Sequence, residues 1–139
     1  MAVSVLTDAM VIVNGVTLSD HGNQITVSDT RDSVEVTGFG ATNKAYTKGL
    51  GDATISGTFF QDFAAGKVHA TLQPLIGSSS TVQVEIRPTS GARSATNPAA
   101  VMQGLLMTYN MIDGQVGGAS TIQFSFINGA STGLQYLTS

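Results

Sequence analysis

The hydrophobic positions of the chain change period between Asp52 and Gly77 (DATISGTFFQDFAAGKVHATLQPLIG). From Ala53 to Phe60 the residues alternate, with Ala53, Ile55, Gly57 and Phe59 on one side and Thr54, Ser56, Thr58 and Phe60 on the other. A period of two marks a half-buried strand. Beyond Gln61 the apolar residues Phe63, Ala64, Val68, Leu72 and Leu75 or Ile76 recur at gaps of three to four, the spacing of an amphipathic helix. The pattern predicts a helix over about residues 62–75 that packs through Phe63, Val68, Leu72 and Leu75. Asp62 is its expected N-cap, because a carboxylate there accepts bonds from the free N–H groups of the first turn. Pro74, Gly77 and the serines that follow end it, which leaves Leu75 and Ile76 just past its last turn.

Elsewhere the pattern is strand and loop. Met10 to Ser19 (MVIVNGVTLS) holds two β-branched runs around Asn14–Gly15, a hairpin signal because both turn positions need positive φ. Ser19 to Asn23 turns the chain. Asn23–Ser28 and Ser33–Phe39 alternate through Ile25, Val27, Val34 and Val36, and the polar link Asp29–Asp32 predicts a second hairpin between them. After the helix, Thr81–Arg87 alternates, with Val82, Val84 and Ile86 inward and Gln83, Glu85 and Arg87 outward. A polar loop, Pro88–Ala99, leads to two more strands, Val101–Tyr109 and Ser120–Ile127, joined by a glycine-rich turn around Gly114–Gly118. The tail retains Leu134, Tyr136 and Leu137, enough for a short last strand. With no internal repeat and no domain boundary, residues 1–139 are expected to form one domain, mainly β: an antiparallel sandwich or barrel with one packed helix.

Composition adds one unusual feature. Charged residues make up 11% of the chain where about 25% is usual, and glycine, serine and threonine take their place. A lone soluble protein covers itself with charge; a surface of small neutral residues suits packing against further copies of itself. Six basic residues are too few for stable binding to a phosphate backbone. The chain has no cysteine, which excludes disulfides, cysteine–zinc sites and a cysteine nucleophile. The opening MAVSVLTDAMVIV lacks the basic and apolar regions of a signal peptide, and no apolar run reaches the ~20 residues of a membrane span. The expectation is a soluble chain made in the cytoplasm.

The segment Gly38–Gly51 (GFGATNKAYTKGLG) shows neither period. It holds four of the 16 glycines and two of the six basic residues. A 14-residue irregular loop in a small domain usually has a task. The reading is an arm that docks on a neighbouring subunit, with Phe39, Asn43, Lys44, Tyr46, Lys48 and Leu50 as contact candidates. Catalytic signals are sparse. His21, in a turn, and His69, on the helix, have no acid or nucleophile at a spacing that predicts contact. Asp29, Asp32 and Glu35 do not form a calcium loop, and GFGATN lacks the third glycine and the helix of a dinucleotide fingerprint. Ser56 is not in a nucleophile elbow. The expectation is a protein with no enzymatic activity, no cofactor and no metal.

The order VLTDAMVIVNGVTLSDHGNQITV, a strand ending in TGFG, a glycine-bounded loop leading into KGLGDATISGTFFQDFAAGKVHATLQPLIG, and then VQVEIRPTSGARSATNP resembles the tail tube (major tail) proteins of long-tailed bacteriophages. The resemblance covers nearly the whole chain and is weakest over the last 25 or so residues. It implies a β-sandwich flanked by a helix, assembled in six-fold rings whose sheets line a continuous lumen. It also implies that rings stack through a long loop, here Gly38–Gly51, and through the termini. The partners implied are further copies of the chain, other tail proteins such as the tape measure, tail tip and terminator, and DNA only as passing cargo. The implied setting is a virion tail built in the bacterial host cytoplasm, with no membrane. The alternatives are a head–tail adaptor, a tail terminator or a capsid decoration protein, and, from another class, a ligand-binding β-sandwich.

Overall fold

A computed structural model describes residues 5–139; residues 1–4, where the segment read above for a signal peptide begins, lie outside the described residues. The elements run β1 (Met10–Val13), β2 (Val16–Thr17), β3 (Gly22–Glu35), β4 (Tyr46–Phe60), α1 (Val68–Ile76), β5 (Val82–Arg87), β6 (Ala99–Tyr109), β7 (Thr121–Asn128) and β8 (Gln135–Leu137). All strand pairs are antiparallel, in the order β2-β1-β5-β6-β7-β4-β3, with β8 on β6. The fold is mainly β with one helix, as expected, and the sheet is open: it does not close into a barrel.

The layering comes from β6. Its first half pairs with β5 from Ala100 to Gly104, and its second half with β7 from Gly104 to Tyr109. The two halves of the sheet therefore meet on one strand and share one core. Val11, Val13, Val84 and Ile86 enter it from one half, Ile55, Phe59, Ile122, Phe124 and Phe126 from the other, and Val68 and Leu72 from α1. Phe59 stacks on Phe124 with ring centroids 4.5 Å apart, and Phe126 meets Phe124 edge-on at 5.9 Å. Burying side chains of this size contributes about 1.5–3 kcal/mol each.

The alternation of β4 is as predicted: Ala53, Ile55 and Phe59 are buried. Gly57 occupies the fourth inward position for a steric reason. A Cβ there would lie 2.1 Å from the Gln24 carbonyl oxygen, where β3 carries an irregularity between Gly22 and Gln24. The Asn14–Gly15 turn is also present, with φ of 50° and 81°, and it joins β1 to β2.

Four expectations need correction. First, the helix is shorter than residues 62–75. It starts at Val68 and runs through Pro74 to Ile76, so Leu75 and Ile76 belong to its last turn. Asp62 caps a turn instead of the helix: its Oδ1 accepts the Ala64 N–H at 2.9 Å, and Gly66 takes a left-handed φ of 73° that no helix continues through. Phe63 consequently lies outside the helix and is 58% exposed. Second, Asp29–Asp32 is not a turn. Residues 22–35 form one strand, and the polar run holds only a bulge between Arg31 and Ser33. Third, the long loop shrinks to residues 36–45, because Tyr46–Gly51 are part of β4. Fourth, Glu85 is buried rather than outward, at 4% exposure, where Arg87 and Arg93 bond its carboxylate.

Candidate assembly surface

The candidate surface is built on the β3–β4 hairpin. Among the described residues β4 pairs with β7 from Thr54 to Phe60, and from Tyr46 to Ala53 its sole strand neighbour is β3. The outer part of the hairpin is thus a two-stranded arm, and every residue from 32 to 48 is exposed. Its apolar side chains Val34, Val36, Phe39, Tyr46 and Leu50 are exposed as well, Phe39 completely. Tyr46, Lys48 and Leu50 alternate along one face of β4, with Glu35 and Ser33 opposite the first two. Phe39, Asn43 and Lys44 sit in the connecting segment. The Thr37 hydroxyl accepts the Ala45 N–H at 2.9 Å and the Val36 N–H donates to the Ala45 carbonyl at 2.8 Å, which closes the base of that segment. All six contact candidates therefore lie on one projecting arm. The helix residues form a separate group: Val68 and Leu72 are buried, Leu75 is partly buried, and Phe63 instead rests its ring against His69 at 5.1 Å.

Two further surfaces escaped the sequence reading. The side of the sheet turned away from the core presents Gln24, Thr26 and Ser28 on β3, Thr54 and Ser56 on β4, and Gln123 and Ser125 on β7, with the Thr58 hydroxyl buried among them. Register places Thr26, Ser56 and Ser125 in one row and Gln24, Thr58 and Gln123 in the next. The patch is hydroxyl and amide with no charge, flanked by the unpaired outer edge of β3. Alternating Ser and Thr in β4 was its only visible signal. The second surface is a groove of about 480 Å³ at the far end of the same hairpin, lined among others by Leu6, Asp8, Val11, Asp20, Ile25 and Phe59.

Neither histidine is an isolated surface group. His21 Nε2 lies 2.8 Å from an Asp62 oxygen and its Nδ1 2.7 Å from Asp20. Burial works against the charged ring, but the bonds to Asp62 and Asp20 prevail and raise its pKa above the ordinary 6.5. His69 Nδ1 meets the Tyr109 hydroxyl at 2.6 Å, and the Gln61 amide donates to the same hydroxyl and to the Met111 carbonyl. These contacts tie turns to strands and gather no nucleophile. Among the described residues no group of three histidine, cysteine or carboxylate side chains is placed to hold a metal, and no helix is long and apolar enough to cross a membrane.

This architecture recurs in known assemblies. A chain in the virion of a native gene transfer agent particle superposes with a TM-score of 0.70 at 12% identity, covering 93% of this chain and 95% of that one. A chain of the sheath–tube complex of an extracellular contractile injection system (PVC), in the extended state, gives 0.69 at 10%, covering 99% and 93%. The tail of an empty gene transfer agent particle, determined with C6 symmetry, gives 0.66 at 11%, covering 86% and 85%. The chain has a tail tube fold. No protein-family model matches the sequence, and no curated protein does either. At these identities the likeness speaks for the tail tube fold alone.

Proposed function

We propose that the chain is a structural, non-enzymatic subunit of a tail tube: it self-assembles into six-fold rings, the rings stack, and DNA passes down the bore. The observation that carries this reading is the β3–β4 arm, with its exposed Val34, Val36, Phe39, Tyr46 and Leu50, on a fold shared with chains of a gene transfer agent tail and of a sheath–tube complex. A two-stranded ribbon is marginal by itself in water, and exposed apolar side chains on both of its faces favour burial against a further chain. We assign Phe39, Asn43, Lys44, Tyr46, Lys48 and Leu50 to contacts between subunits.

Two other features support the same reading. The outer edge of β3 is a row of unpaired backbone groups, and pairing with a neighbouring copy removes that liability. The uncharged Ser/Thr/Gln patch beside it suits the wall of a conduit, since a basic wall would hold DNA by counterion release. In this role the chain works beside a tape measure, a tail tip and a terminator, in a virion tail assembled in the bacterial host cytoplasm. Negative-stain microscopy of the purified protein, alone and with a tip or tape-measure seed, tests the proposal. Rings or tubes are expected; monomers that persist at high concentration beside a seed overturn it.

A further inference from the structure

The free edge of β1 is covered by the turn that follows β2. Among the described residues β2 pairs with β1 only at Ile12 and Val13, so Met10 and Val11 have no strand on the side away from β5. There the Ser19 hydroxyl accepts the Val11 N–H at 2.8 Å, and the Leu18 N–H donates to the Val11 carbonyl at 2.9 Å. Leu18 is fully buried, and the short 3-10 turn Ser19–His21 leads straight into β3. A strand edge left uncovered is a template for a second chain. Whatever holds this turn down therefore keeps the edge closed.

His21 supplies the hold. Its Nε2 lies 2.8 Å from Asp62, on the link between β4 and α1, and its Nδ1 2.7 Å from Asp20 in the turn itself. An ionised carboxylate only accepts, and a neutral imidazole carries a single N–H. Both contacts are therefore hydrogen bonds only when both ring nitrogens are protonated. Burial of the ring opposes that charge, and the two carboxylates outweigh it. Asp62 is fixed in turn, since its other oxygen accepts the Ala64 N–H. Lys67, just before α1, acts on both carboxylates, and Asp8, which lines the same groove as Asp20, is engaged by Ser90. We infer that His21 is a proton-operated latch on the β1 edge. Charged, it pins the turn to the β4–α1 link. When one ring proton leaves, one nitrogen turns a lone pair toward a carboxylate, and the other keeps only a bond without the ring's charge. The turn then lifts off Val11, and the edge opens while the core stays folded.

The latch does not depend on the tube reading, and amide exchange followed by NMR on the whole chain tests it. The amides of Val11 and Leu18 report the covered edge; those in the paired part of β4 and β7 report the core. Rates are corrected for the intrinsic acceleration by hydroxide. Exchange at Val11 and Leu18 is then expected to speed up roughly ten- to a hundredfold as the His21 ring proton titrates, the range set by one hydrogen bond to a charged group. The β4 and β7 amides are expected to keep their rates over the same interval. Asp62→Asn removes one of the charges that hold the proton and is expected to move the step to lower pH. His21→Gln has no proton to lose and is expected to show fast exchange at Val11 and Leu18 with no step. Protection at these two amides that stays constant across the ring titration overturns the latch. A step shared by the β4 and β7 amides overturns it too, because the whole fold then opens. So does a step that Asp62→Asn leaves in place, or wild-type protection in His21→Gln.

Discussion

Glu85 shows how much one side chain can override a strand's period. Alternation with Val84 and Ile86 points it outward, yet all three are buried, because Arg93, eight residues on, and Arg87 fold over the carboxylate. The bond from Arg93 holds the Glu85 carboxyl below its ordinary 4.5 against the opposing effect of burial, and Arg87 adds to it. A depressed acid stabilises the fold above that ordinary value, and the contribution disappears as pH falls through the folded one. Glu85→Gln is therefore expected to cost about 2 kcal/mol at neutral pH. That is less than the roughly 3–5 kcal/mol of a fully buried pair, since both arginines reach water. Urea unfolding at pH 7 and in acid measures the cost and its disappearance. His21 has the opposite sign. Its raised pKa stabilises fully below 6.5 and is lost as pH rises through the folded value. Unfolding of His21→Gln should lack that alkaline decline while wild type retains it; equal slopes would refute the clasp with Asp62. At Gly57 the constraint is steric, and Gly57→Ala should lower stability by about 2–3 kcal/mol, visible as a drop in melting temperature.

At the scale of elements, the arm is the part whose removal should matter least to folding and most to assembly. Ser33 faces Lys48 in register, so replacing residues 34–47 with Asn-Gly keeps the ribbon paired through a two-residue turn. Thermal melts are expected to match wild type, and sedimentation should find no stacked species; tubes of normal length would refute the assignment. Leu72, fully buried on α1, gives the contrast: Leu72→Ala should cost about 2–5 kcal/mol in the same melts. The elements differ in how plainly the sequence announces them. β5 keeps the alternation of Val82, Val84 and Ile86 although Glu85 between them is buried too. β4 and β7 bury one face, so their apolar residues alternate and the strands are legible. β3 is not, because its outer half lies in water on both faces; with nothing to bury, Asp29–Asp32 carries no period and imitates a turn. The apolar spacing places the start of α1 too early for a local reason, since Gly66 and the Asp62 turn interrupt a spacing that continues across them. The contact candidates from Phe39 to Leu50 are legible as exposed, but the setting of Tyr46, Lys48 and Leu50 on a strand is not. The His21–Asp62 and Glu85–Arg93 pairs depend on tertiary approach that spacing does not encode.

For the whole molecule, the uncharged patch on the outer side of β3, β4 and β7 makes a prediction about cargo. Thr26 and Gln123 are exposed on it and do not face each other in register. Thr26→Lys with Gln123→Lys should leave folding and assembly intact. Tubes of the variant should retain DNA at low salt and release it as salt rises, whereas wild-type tubes should retain none in a filter-binding assay. The strand that joins this patch to the arm has a mechanical side too. β4 runs without interruption from Tyr46 to Phe60, held by β3 along its length and by β7 over its inner half. A pull on the arm along that axis loads the ladder hydrogen bonds at right angles to their direction. They then resist together, in shear, instead of opening one after another like a zip. An arm anchored this way yields late and all at once, which suits the role in a stacked tube proposed above.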